Sequence, residues 1–336
     1  MNGQNGTLLV TGGAGYIGSH FVALLADRGV PYIVVDNLSR SSGEFVQQDK
    51  LVKADVGDTE AIAETVRKYG VTGAVHFAAF AAVGESVVDP GLYYENNVVQ
   101  TCQLVTALRD AGVRHMVFSS TCATYGIPPE GKHLSESMEQ NPINPYGRSK
   151  LMIEQLMRDY HAAYGMSFAL LRYFNAAGCS PAHPLYERHE PETHAIPLAL
   201  RAAMGGKEFV IFGDDFNTPD GTCIRDYIHV DDLAEAHMLA LHRLYAEPGV
   251  LALNLGTGRG TSVRELLESV RRVTGVPVPH RVGPRREGDP PVLVADAQLA
   301  QTQLGWKPNY LEIDDIIRTA HQGELRASEA LAATNR

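Results

Sequence analysis

Three side chains in this sequence have the types and spacing needed to remove a proton from an alcohol. Tyr146 and Lys150 are four residues apart, which places them on one face of a predicted helix, and Thr121 follows a predicted strand. A tyrosine phenol, with a pKa near ~10, is too weak a base at neutral pH. A neighbouring ammonium favours the phenolate and lowers that pKa, and a threonine hydroxyl can hydrogen-bond both phenol and substrate. We therefore predict Tyr146 as the general base, with Lys150 and Thr121 as its catalytic partners.

A glycine-rich turn predicts a dinucleotide beside these groups. An apolar run over residues 8–10 leads into Gly12, Gly15 and Gly18, and a helical pattern follows at once. Glycines let the phosphates approach the backbone, and the open N–H groups of a helix start attract negative charge. Asp36 closes the next apolar run, at about the spacing of the acid that hydrogen-bonds an adenosine ribose. A carboxylate there repels a 2′-phosphate and favours NAD, although nearby Arg40 leaves a phosphate possible.

Alternating strand and helix patterns must hold these residues in place. The pattern predicts an α/β fold with a Rossmann-type, doubly wound parallel sheet of about seven strands. Residues 176–229 lose this alternation, which indicates an inserted, smaller α/β substrate domain. We predict an NAD-binding domain over residues 1–175 plus about 230–255, and a substrate-binding domain over about 176–229 plus 256–336. The two domains are thus discontinuous in sequence.

Composition excludes several other classes of protein. The 336-residue chain has a formal net charge of −10 and scattered basic residues, which argues against nucleic acid. Its four cysteines are far apart, and the Asp231–Asp232 pair is typical of a helix start, so no metal site is expected. The polar N-terminus predicts no signal peptide, and no apolar run reaches the ~20 residues of a membrane span. We expect a cytoplasmic enzyme, with His76 as a structural histidine inside a strand.

Six motifs distributed over most of the chain resemble the extended short-chain dehydrogenase/reductase family, and within it the UDP-sugar 4-epimerases. They are TGGAGYIGSH (11–20), VGES (83–86), NPYGRSKL (144–151), LRYFN (171–175), DGTCIRDYIHV (220–230) and RREGD (285–289). The resemblance implies that Tyr146 takes the proton of the sugar 4-hydroxyl while hydride passes from C4 to tightly held NAD. The 4-keto sugar then turns over and receives the hydride on its other face, so UDP-glucose and UDP-galactose interconvert without net redox change.

The resemblance also implies two sets of binding residues. The expected NAD contacts are Gly12, Gly15, Tyr16, Ile17, Gly18, Asp36, Asn37, Asp55, Val56, Phe77, Ala78, Ala79, Asn97, Ser119, Tyr146, Lys150 and Phe174. The expected UDP-sugar contacts are Thr121, Tyr146, Phe174, Asn175, His194, Ala195, Phe212, Arg225, Tyr227, Arg286, Asp289 and Leu293. Arg225 and Arg286 are expected on the diphosphate, because guanidinium groups form paired, charge-assisted hydrogen bonds. The family also implies a homodimer that pairs the helix after Pro90 with the helix carrying Tyr146.

The sequence leaves the sugar and some of the chemistry open. Leu293 stands where some 4-epimerases carry a bulky tyrosine, so N-acetylated sugars such as UDP-GlcNAc and UDP-GalNAc remain candidates. The stretch around Thr121 also resembles UDP-xylose (UDP-arabinose) 4-epimerases. A sugar-nucleotide dehydratase would need an acid/base pair where this chain has Cys122 and Ala123. Ala81 lacks the lysine that contacts the cofactor phosphates in some relatives. An NAD(P)-dependent reductase and a non-catalytic NAD-binding regulator are the remaining alternatives.

Overall fold

The computed structural model describes residues 6–189, 191–286 and 289–334. Two parts of the sequence interpretation lie outside these ranges: the first five residues of the N-terminal segment, and Glu287 and Gly288 of the RREGD motif. Within the described residues the strands are β1 (Thr7–Thr11), β2 (Tyr32–Asp36), β3 (Leu51–Lys53), β4 (Val71–His76), β5 (His115–Thr121), β6 (Ser167–Tyr173), β7 (Asn175–Ala177), β8 (Phe209–Phe212), β9 (Ile224–His229), β10 (Val250–Leu255), β11 (Gly260–Ser262), β12 (His280–Gly283) and β13 (Val292–Leu293).

Eleven α-helices are present in the same ranges, and none is long and apolar enough to cross a membrane. They are α1 (Tyr16–Asp27), α2 (Thr59–Tyr69), α3 (Val83–Val88), α4 (Pro90–Tyr93), α5 (Gln100–Asp110), α6 (Pro145–Tyr164), α7 (Ala195–Ala203), α8 (Val230–Ala246), α9 (Val263–Thr274), α10 (Gln298–Leu304) and α11 (Ile313–Thr334).

The central sheet confirms the predicted fold class. Seven parallel strands run in the order β10-β6-β5-β4-β1-β2-β3, so the strand order reverses at β1. In such sheets ligands bind at the carboxyl ends of the strands beside that reversal. The glycine turn follows β1, Asp36 ends β2, and Thr121 ends β5. The topology therefore brings residues far apart in sequence to one edge of the sheet.

Apolar side chains cover both faces of this sheet. Successive residues of a strand point to opposite faces, so Leu8 and Val10 join one buried cluster and Leu9 joins the other. The first cluster includes Phe21 of α1 and residues of α8, and the second includes residues of α2, α5 and Ile153 of α6. The strand ends that carry the predicted site residues are thus supported from both sides by packed helices.

A second unit packs beside the sheet. Strands β7, β9, β11 and β13 form a four-stranded sheet, and β8 pairs with β12. Helices α7, α9 and α11 contribute to a separate apolar cluster that includes Ile196, Leu266 and Ile317. Buried Asp232 accepts hydrogen bonds from the backbone N–H groups of Asn309 and Tyr310, at 2.8 and 3.0 Å. Asp232 therefore holds the loop that contains Asn309 and Tyr310, besides placing negative charge in the first turn of α8.

The helix predicted after Pro90 differs from a regular α-helix. Between α4 and α5 the chain forms a π-helical turn over Tyr94–Val99, and the short α3 precedes them. Wider turns of this kind occur mostly at functional sites, because the extra residue redirects side chains. His76 fits its structural interpretation, since its ring nitrogens lie 2.6 and 2.9 Å from the hydroxyls of Thr11 and Thr101.

Candidate active site

The start of α6 positions the predicted base and its lysine. Asn144 caps the helix by accepting a first-turn backbone N–H at 2.8 Å, and Pro145 is the first helical residue. Tyr146 therefore lies in the first turn and Lys150 one turn later. Lys150 is 3% exposed, and its Nζ donates to the carbonyl oxygen of Ser119 in β5 at 2.8 Å. This bond ties the catalytic helix to the strand that ends in Thr121.

Burial dominates the electrostatics of this pair. It raises the pKa of Tyr146, although a hydrogen bond with the Thr121 hydroxyl opposes that change. Burial also lowers the pKa of Lys150 to about 7, while the carboxylate of Glu154 acts in the opposite direction. The prediction is that the Lys150 ammonium and the positive nicotinamide ring of bound NAD lower the phenol pKa together; in the chain by itself that pKa is raised. The reason is that desolvation penalises both charged forms more than the neighbouring groups stabilise them.

Tyr93 supports the ring of Tyr146 from the side. The two rings meet edge to face, with centroids 6.5 Å apart, and Tyr93 is fully buried. Its hydroxyl lies 2.7 Å from the carbonyl oxygen of Ala82 and 2.9 Å from the carboxylate of Glu85. The VGES motif therefore helps to hold the catalytic tyrosine through Tyr93.

Asn97, at the π-helical turn, connects the sheet edge with the catalytic helix. Its Oδ1 accepts from the backbone N–H of Phe80 at 2.9 Å and from the side chain of Asn96. Its Nδ2 donates to the carbonyl oxygen of Phe80 at 3.0 Å and to the hydroxyl of Ser149 at 3.2 Å. Since protein groups take all of these bonds, the geometry favours a positioning role for Asn97 over a direct contact with the cofactor.

The glycine turn forms the floor of a cleft that suits a dinucleotide. Gly12 has φ +69°, and a Cβ atom there would lie 2.4 Å from the backbone nitrogen of Ala78. A Cβ at Gly18 would lie 2.2 Å from the carbonyl oxygen of Gly12. Side chains at these two positions are therefore excluded, which keeps the backbone exposed to a ligand. Predicted NAD residues that line the cleft are Gly12, Gly15, Asp36, Asn37, Val56, Phe77, Ala78 and Ala79.

Asp36 lies at the carboxyl end of β2 and faces the glycine turn. Its two oxygens accept from the backbone N–H groups of Ala14 and Leu38, at 3.0 and 2.9 Å. Burial raises its pKa, and these hydrogen bonds oppose the change. Beside it, the amide of Asn37 donates to the carboxylate of Asp55 at 2.6 Å. The acid predicted for the ribose thus lies next to Asn37 and Asp55, two further predicted NAD contacts.

Other predicted NAD residues engage protein groups. The hydroxyl of Tyr16 donates to the carbonyl oxygen of Gly178 at 2.6 Å, which joins the glycine turn to the second unit. The hydroxyl of Ser119 bonds to that of Tyr173, whose pKa burial raises to about 12. Ile17 packs at the edge of the apolar cluster that contains Phe21.

The predicted phosphate and ribose ligands meet in the second unit. Arg225 of β9 lies in register with Leu293 of β13, and its guanidinium donates to the carbonyl oxygen of Pro290 at 2.9 Å. Its other terminal nitrogen lies 3.3 Å from the carboxylate of Asp289. Tyr227, two residues along β9, pairs with Asn175 at the start of β7.

Two further predicted contacts, Arg286 and Phe212, form a cation–π pair. The guanidinium carbon of Arg286 lies 3.8 Å above the ring centroid of Phe212, close enough for a cation–π interaction. His194 and Ala195 stand at the N-terminus of α7, where the imidazole of His194 meets the carboxylates of Glu187 and Glu192.

A small apolar cluster connects the two units at the reacting end. Phe174, immediately after β6, packs with Cys122, Tyr125 and Leu293. Cys122 directly follows Thr121, and burial raises its pKa to about 12. Leu293, which is predicted to contact the sugar, therefore packs against Phe174 and the turn that follows Thr121.

Sequence reasoning missed the residues that support the site. They are Tyr93, Glu85, Ser149 and Tyr173, together with a buried ion pair between Glu154 and Arg172. Their partners are distant in sequence, so spacing gave no sign of them. Glu85, Ser149, Arg172 and Tyr173 do lie inside the quoted motifs, which was the available signal.

The family model described as the NAD dependent epimerase/dehydratase family matches residues 8–256. A UDP-glucose 4-epimerase of Rhizobium meliloti (strain 1021) is 49% identical, over 91% of this chain and 94% of that protein. Among solved structures, a UDP-glucose 4-epimerase from Brucella ovis in complex with NAD is 50% identical, with a TM-score of 0.91 over 94% of this chain and 98% of that one. A UDP-glucose-4-epimerase from Stenotrophomonas maltophila, with bound NAD and formylated UDP-arabinopyranose, is 39% identical, with a TM-score of 0.92 over 96% and 99%.

Proposed function

The chain belongs to the NAD dependent epimerase/dehydratase family, and from that premise we propose that it interconverts UDP-glucose and UDP-galactose. The activity is NAD-dependent C4 epimerisation of a UDP-sugar, so the enzyme is an isomerase. The observation that carries the proposal is the α6–β5 contact. The 2.8 Å bond from Lys150 to Ser119 holds the Tyr146–Lys150 pair against the strand that ends in Thr121, in the same parallel sheet as the strand that leads into the glycine turn.

NAD fits the residues of the cleft. The side-chain-free glycine turn would hold the pyrophosphate, Asp36 the adenosine ribose, and Asp55 with Val56 the adenine end. The acidic Asp36 favours NAD over its 2′-phosphorylated form. Bound NAD would supply a reversible acceptor for the C4 hydride, and a positive ring that would favour the phenolate of Tyr146.

The chain's own residues move one proton. Tyr146 takes the proton of the C4 hydroxyl as the C4–H electron pair leaves, and a C4 carbonyl forms. Thr121 hydrogen-bonds the phenol and the sugar oxygen, so the proton transfer stays in line. Lys150 supplies positive charge beside the phenolate. After the keto sugar has turned over, Tyr146 returns the proton to the C4 oxygen, and the carbon has the opposite configuration.

The second unit would clamp the nucleotide. We place Arg225, Arg286 and Asn175 on the diphosphate and Asp289 on the uridine ribose, with Phe212 beside the uracil. The pairing of Arg225 with Asp289 and the stacking of Arg286 on Phe212 support this placement, because each keeps a cation near the predicted nucleotide. Tyr227 and the backbone of His194–Ala195 complete the clamp. The two-domain division given above rests on the same arrangement.

Sugar choice and assembly are the finer parts of the proposal. Leu293 leaves the sugar wall smaller than a tyrosine would, which keeps UDP-GlcNAc/UDP-GalNAc as a second candidate pair, and UDP-xylose/UDP-arabinose as a third. A homodimer through α4–α5 and α6 is supported by exposed Val99 and Met152 on these elements. A cytoplasmic location stays a prediction.

The test is turnover without added cofactor. Purified enzyme is incubated with UDP-glucose, UDP-GlcNAc and UDP-xylose, and the products are separated. We expect the C4 epimer of UDP-glucose, with no net absorbance change at 340 nm. Tyr146→Phe should lower turnover by roughly 10²–10⁴-fold, the usual contribution of a general base. Tyr164→Phe, at the half-exposed far end of α6, is the matched control. No epimer from any sugar, or full activity of Tyr146→Phe, would overturn the proposal.

A further inference from the structure

Two glutamates and two histidines converge outside the cleft at the glycine turn, in the segment that leads into α7. We call Glu187, His189, Glu192 and His194 the His/Glu cluster. Each residue offers one ligand atom, a carboxylate oxygen or an imidazole nitrogen, and the four atoms all lie within 4.8 Å of one another. The alternating pattern Glu-x-His-x-x-Glu-x-His brings two chemically different pairs of donors to one point.

The spacing of these atoms matches a metal coordination shell. His189 Nδ1 lies 3.2 Å from Glu187 Oε1 and 3.8 Å from Glu192 Oε2. His194 Nδ1 lies 3.1 Å from Glu187 Oε1. Nitrogen and oxygen ligands sit about 2.0–2.2 Å from zinc, so they lie about 3.4 Å from one another in a tetrahedral site. The observed distances fall on both sides of that value.

Three of the four atoms are buried without a hydrogen-bond partner among the described residues. They are Glu187 Oε1, His189 Nδ1 and Glu192 Oε2. The side chains of Glu187 and Glu192 are only 9% and 3% exposed. A buried polar group without a partner costs about 1–3 kcal/mol, and more when charged, so such groups need an explanation. One cation between these atoms would satisfy all of them.

The surrounding bonds orient the donors inward. The other oxygen of Glu192, Oε1, accepts from the backbone N–H groups of Thr193 and His194, at 2.8 and 2.9 Å, and lies 2.9 Å from His194 Nδ1, which a metal ion would have to draw away from it. This leaves Oε2 directed at the cluster. Hydrogen-bonded carboxylates of this kind are typical around metal ligands, because they fix ligand orientation. Arg201 lies 3.6 Å from Glu192 Oε2, but its guanidinium is engaged by two bonds to Glu324.

The chemistry of the donors limits the choice of ion. With neutral imidazoles the cluster carries two negative charges, and burial in this setting favours a divalent cation. Imidazole nitrogen is a ligand for zinc, copper, iron and nickel, whereas calcium and magnesium take oxygen alone.

We propose that the His/Glu cluster binds one divalent transition-metal ion, with zinc as the best match. Four protein ligands make a closed, structural site. The imidazole of His194 is about half-exposed, which gives the ion a path of entry. The ring of His189 lies 6.3 Å from that of Tyr16, edge to face, so the ion would fix this segment between the glycine turn and α7. The cysteines and the Asp231–Asp232 pair were the features of the sequence from which no metal site was expected, and neither belongs to this cluster.

The test measures binding directly, on tag-free protein stripped with a chelator. Zinc is titrated in competition with a fluorescent zinc indicator, and bound metal is counted per chain. We expect one zinc per chain, and binding weakened about a hundredfold or more in Glu187→Gln and in His189→Gln. His183→Gln is the matched control, because this partly exposed histidine of the same segment pairs only with Asp27. It should bind zinc as the parent does.

Cobalt(II) supplies a second readout that is independent of enzymatic activity. A tetrahedral cobalt site absorbs visible light strongly, and His189→Gln should abolish that absorbance while its far-UV circular dichroism stays unchanged. Should a variant misfold, His194→Gln serves as the replacement, because its imidazole is the most exposed of the four ligands. Less than one zinc per chain, unchanged binding in Glu187→Gln and His189→Gln, or equal loss in His183→Gln would refute the site and leave a plain ion-pair cluster.

Discussion

The buried ion pair of Glu154 and Arg172 tests whether burial decides how much an ion pair contributes to stability. The two side chains are 1% and 3% exposed, and a guanidinium nitrogen of Arg172 lies 2.6 Å from a carboxylate oxygen of Glu154. The hydroxyl of Ser120 also donates to this carboxylate, at 2.6 Å, and Arg172 donates to the hydroxyl of Tyr125. The network joins α6, one turn after Lys150, to the strands beneath it. The perturbation is Glu154→Gln, which keeps the shape and removes the charge.

The magnitude follows from the environment of Arg172. Removing one partner of a buried ion pair leaves the other charge without compensation, at a cost of about 3–5 kcal/mol. An exposed pair of the same chemistry contributes about 0–1 kcal/mol. Arg28 and Glu235 form such a pair on the surface, with side chains 42% and 31% exposed. Glu235→Gln is therefore the matched control, and the two variants should differ by several kcal/mol.

The assay is urea unfolding followed by the fluorescence of Trp306. This is the only tryptophan of the chain; it is 1% exposed and donates to the carbonyl oxygen of Asp232 at 3.0 Å. With a slope near ~3 kcal/mol per molar urea, Glu154→Gln should lower the midpoint by about 1 M or more. Glu235→Gln should move it by less than ~0.3 M. Equal shifts for the two variants would refute the reasoning that burial decides the value of the pair.

Three further predictions concern the wall of the sugar cleft and two buried titrating groups. Leu293→Tyr should lower turnover of UDP-GlcNAc more than that of UDP-glucose, because the larger ring fills the space near the sugar; an unchanged ratio of the two rates would contradict this gating. Burial lowers the pKa of His237 to about 4, so the unfolded chain binds more protons between about pH 4 and 6.5 and stability falls there on acidification. That histidine should account for about 2 kcal/mol lost between pH 7 and 5, and the loss should be smaller by that amount in His237→Phe, as measured by urea unfolding at both pH values. Lys150→Met should remove a rise in stability between about pH 7 and 10.5, because burial lowers the pKa of Lys150 to about 7; a variant whose stability depends on pH as the parent's does would contradict this. The same variant should also reduce epimerisation, and turnover at the parent's rate would contradict that.

The regular part of the fold was predictable because its signals are local. An apolar run of a few residues followed by glycine or an acid marks a buried parallel strand. The run over residues 8–10 lies in β1, the run closed by Asp36 is β2, and the strand predicted before Thr121 is β5, which ends at Thr121 itself. Helix α9 begins with a capping box, in which the side chains of Ser262 and Glu265 each accept a hydrogen bond from the other's backbone N–H group. This pattern is visible in the sequence. Alternation of such elements then leaves few topologies, which is why a doubly wound parallel sheet could be predicted.

The irregular helices were not predictable in the same way. The residues that form α4, the π-helical turn and α5 have a continuous helical pattern, and periodicity does not report a one-residue widening. The widening is stabilised from outside the helix, since Asn97 bonds to the backbone of Phe80 and to Ser149 of α6. Such partners become neighbours only after the sheet has formed. Tertiary contacts, and not local propensity, therefore decide the geometry at this point.

The same distinction applies to the catalytic tyrosine. Residue types and spacing predicted that Tyr146, Lys150 and Thr121 meet, and the structure ties Lys150 to β5 and gives Tyr146 a hydrogen bond with Thr121. Their protonation could not be predicted from spacing, because it depends on how much water the fold removes. Burial raises the pKa of Tyr146 and lowers that of Lys150 to about 7, so the removal of water opposes the phenolate and weakens the hold of Lys150 on its proton. A bound nicotinamide would add its positive charge to that of Lys150 and so favour the phenolate, which would link proton removal to the presence of the hydride acceptor.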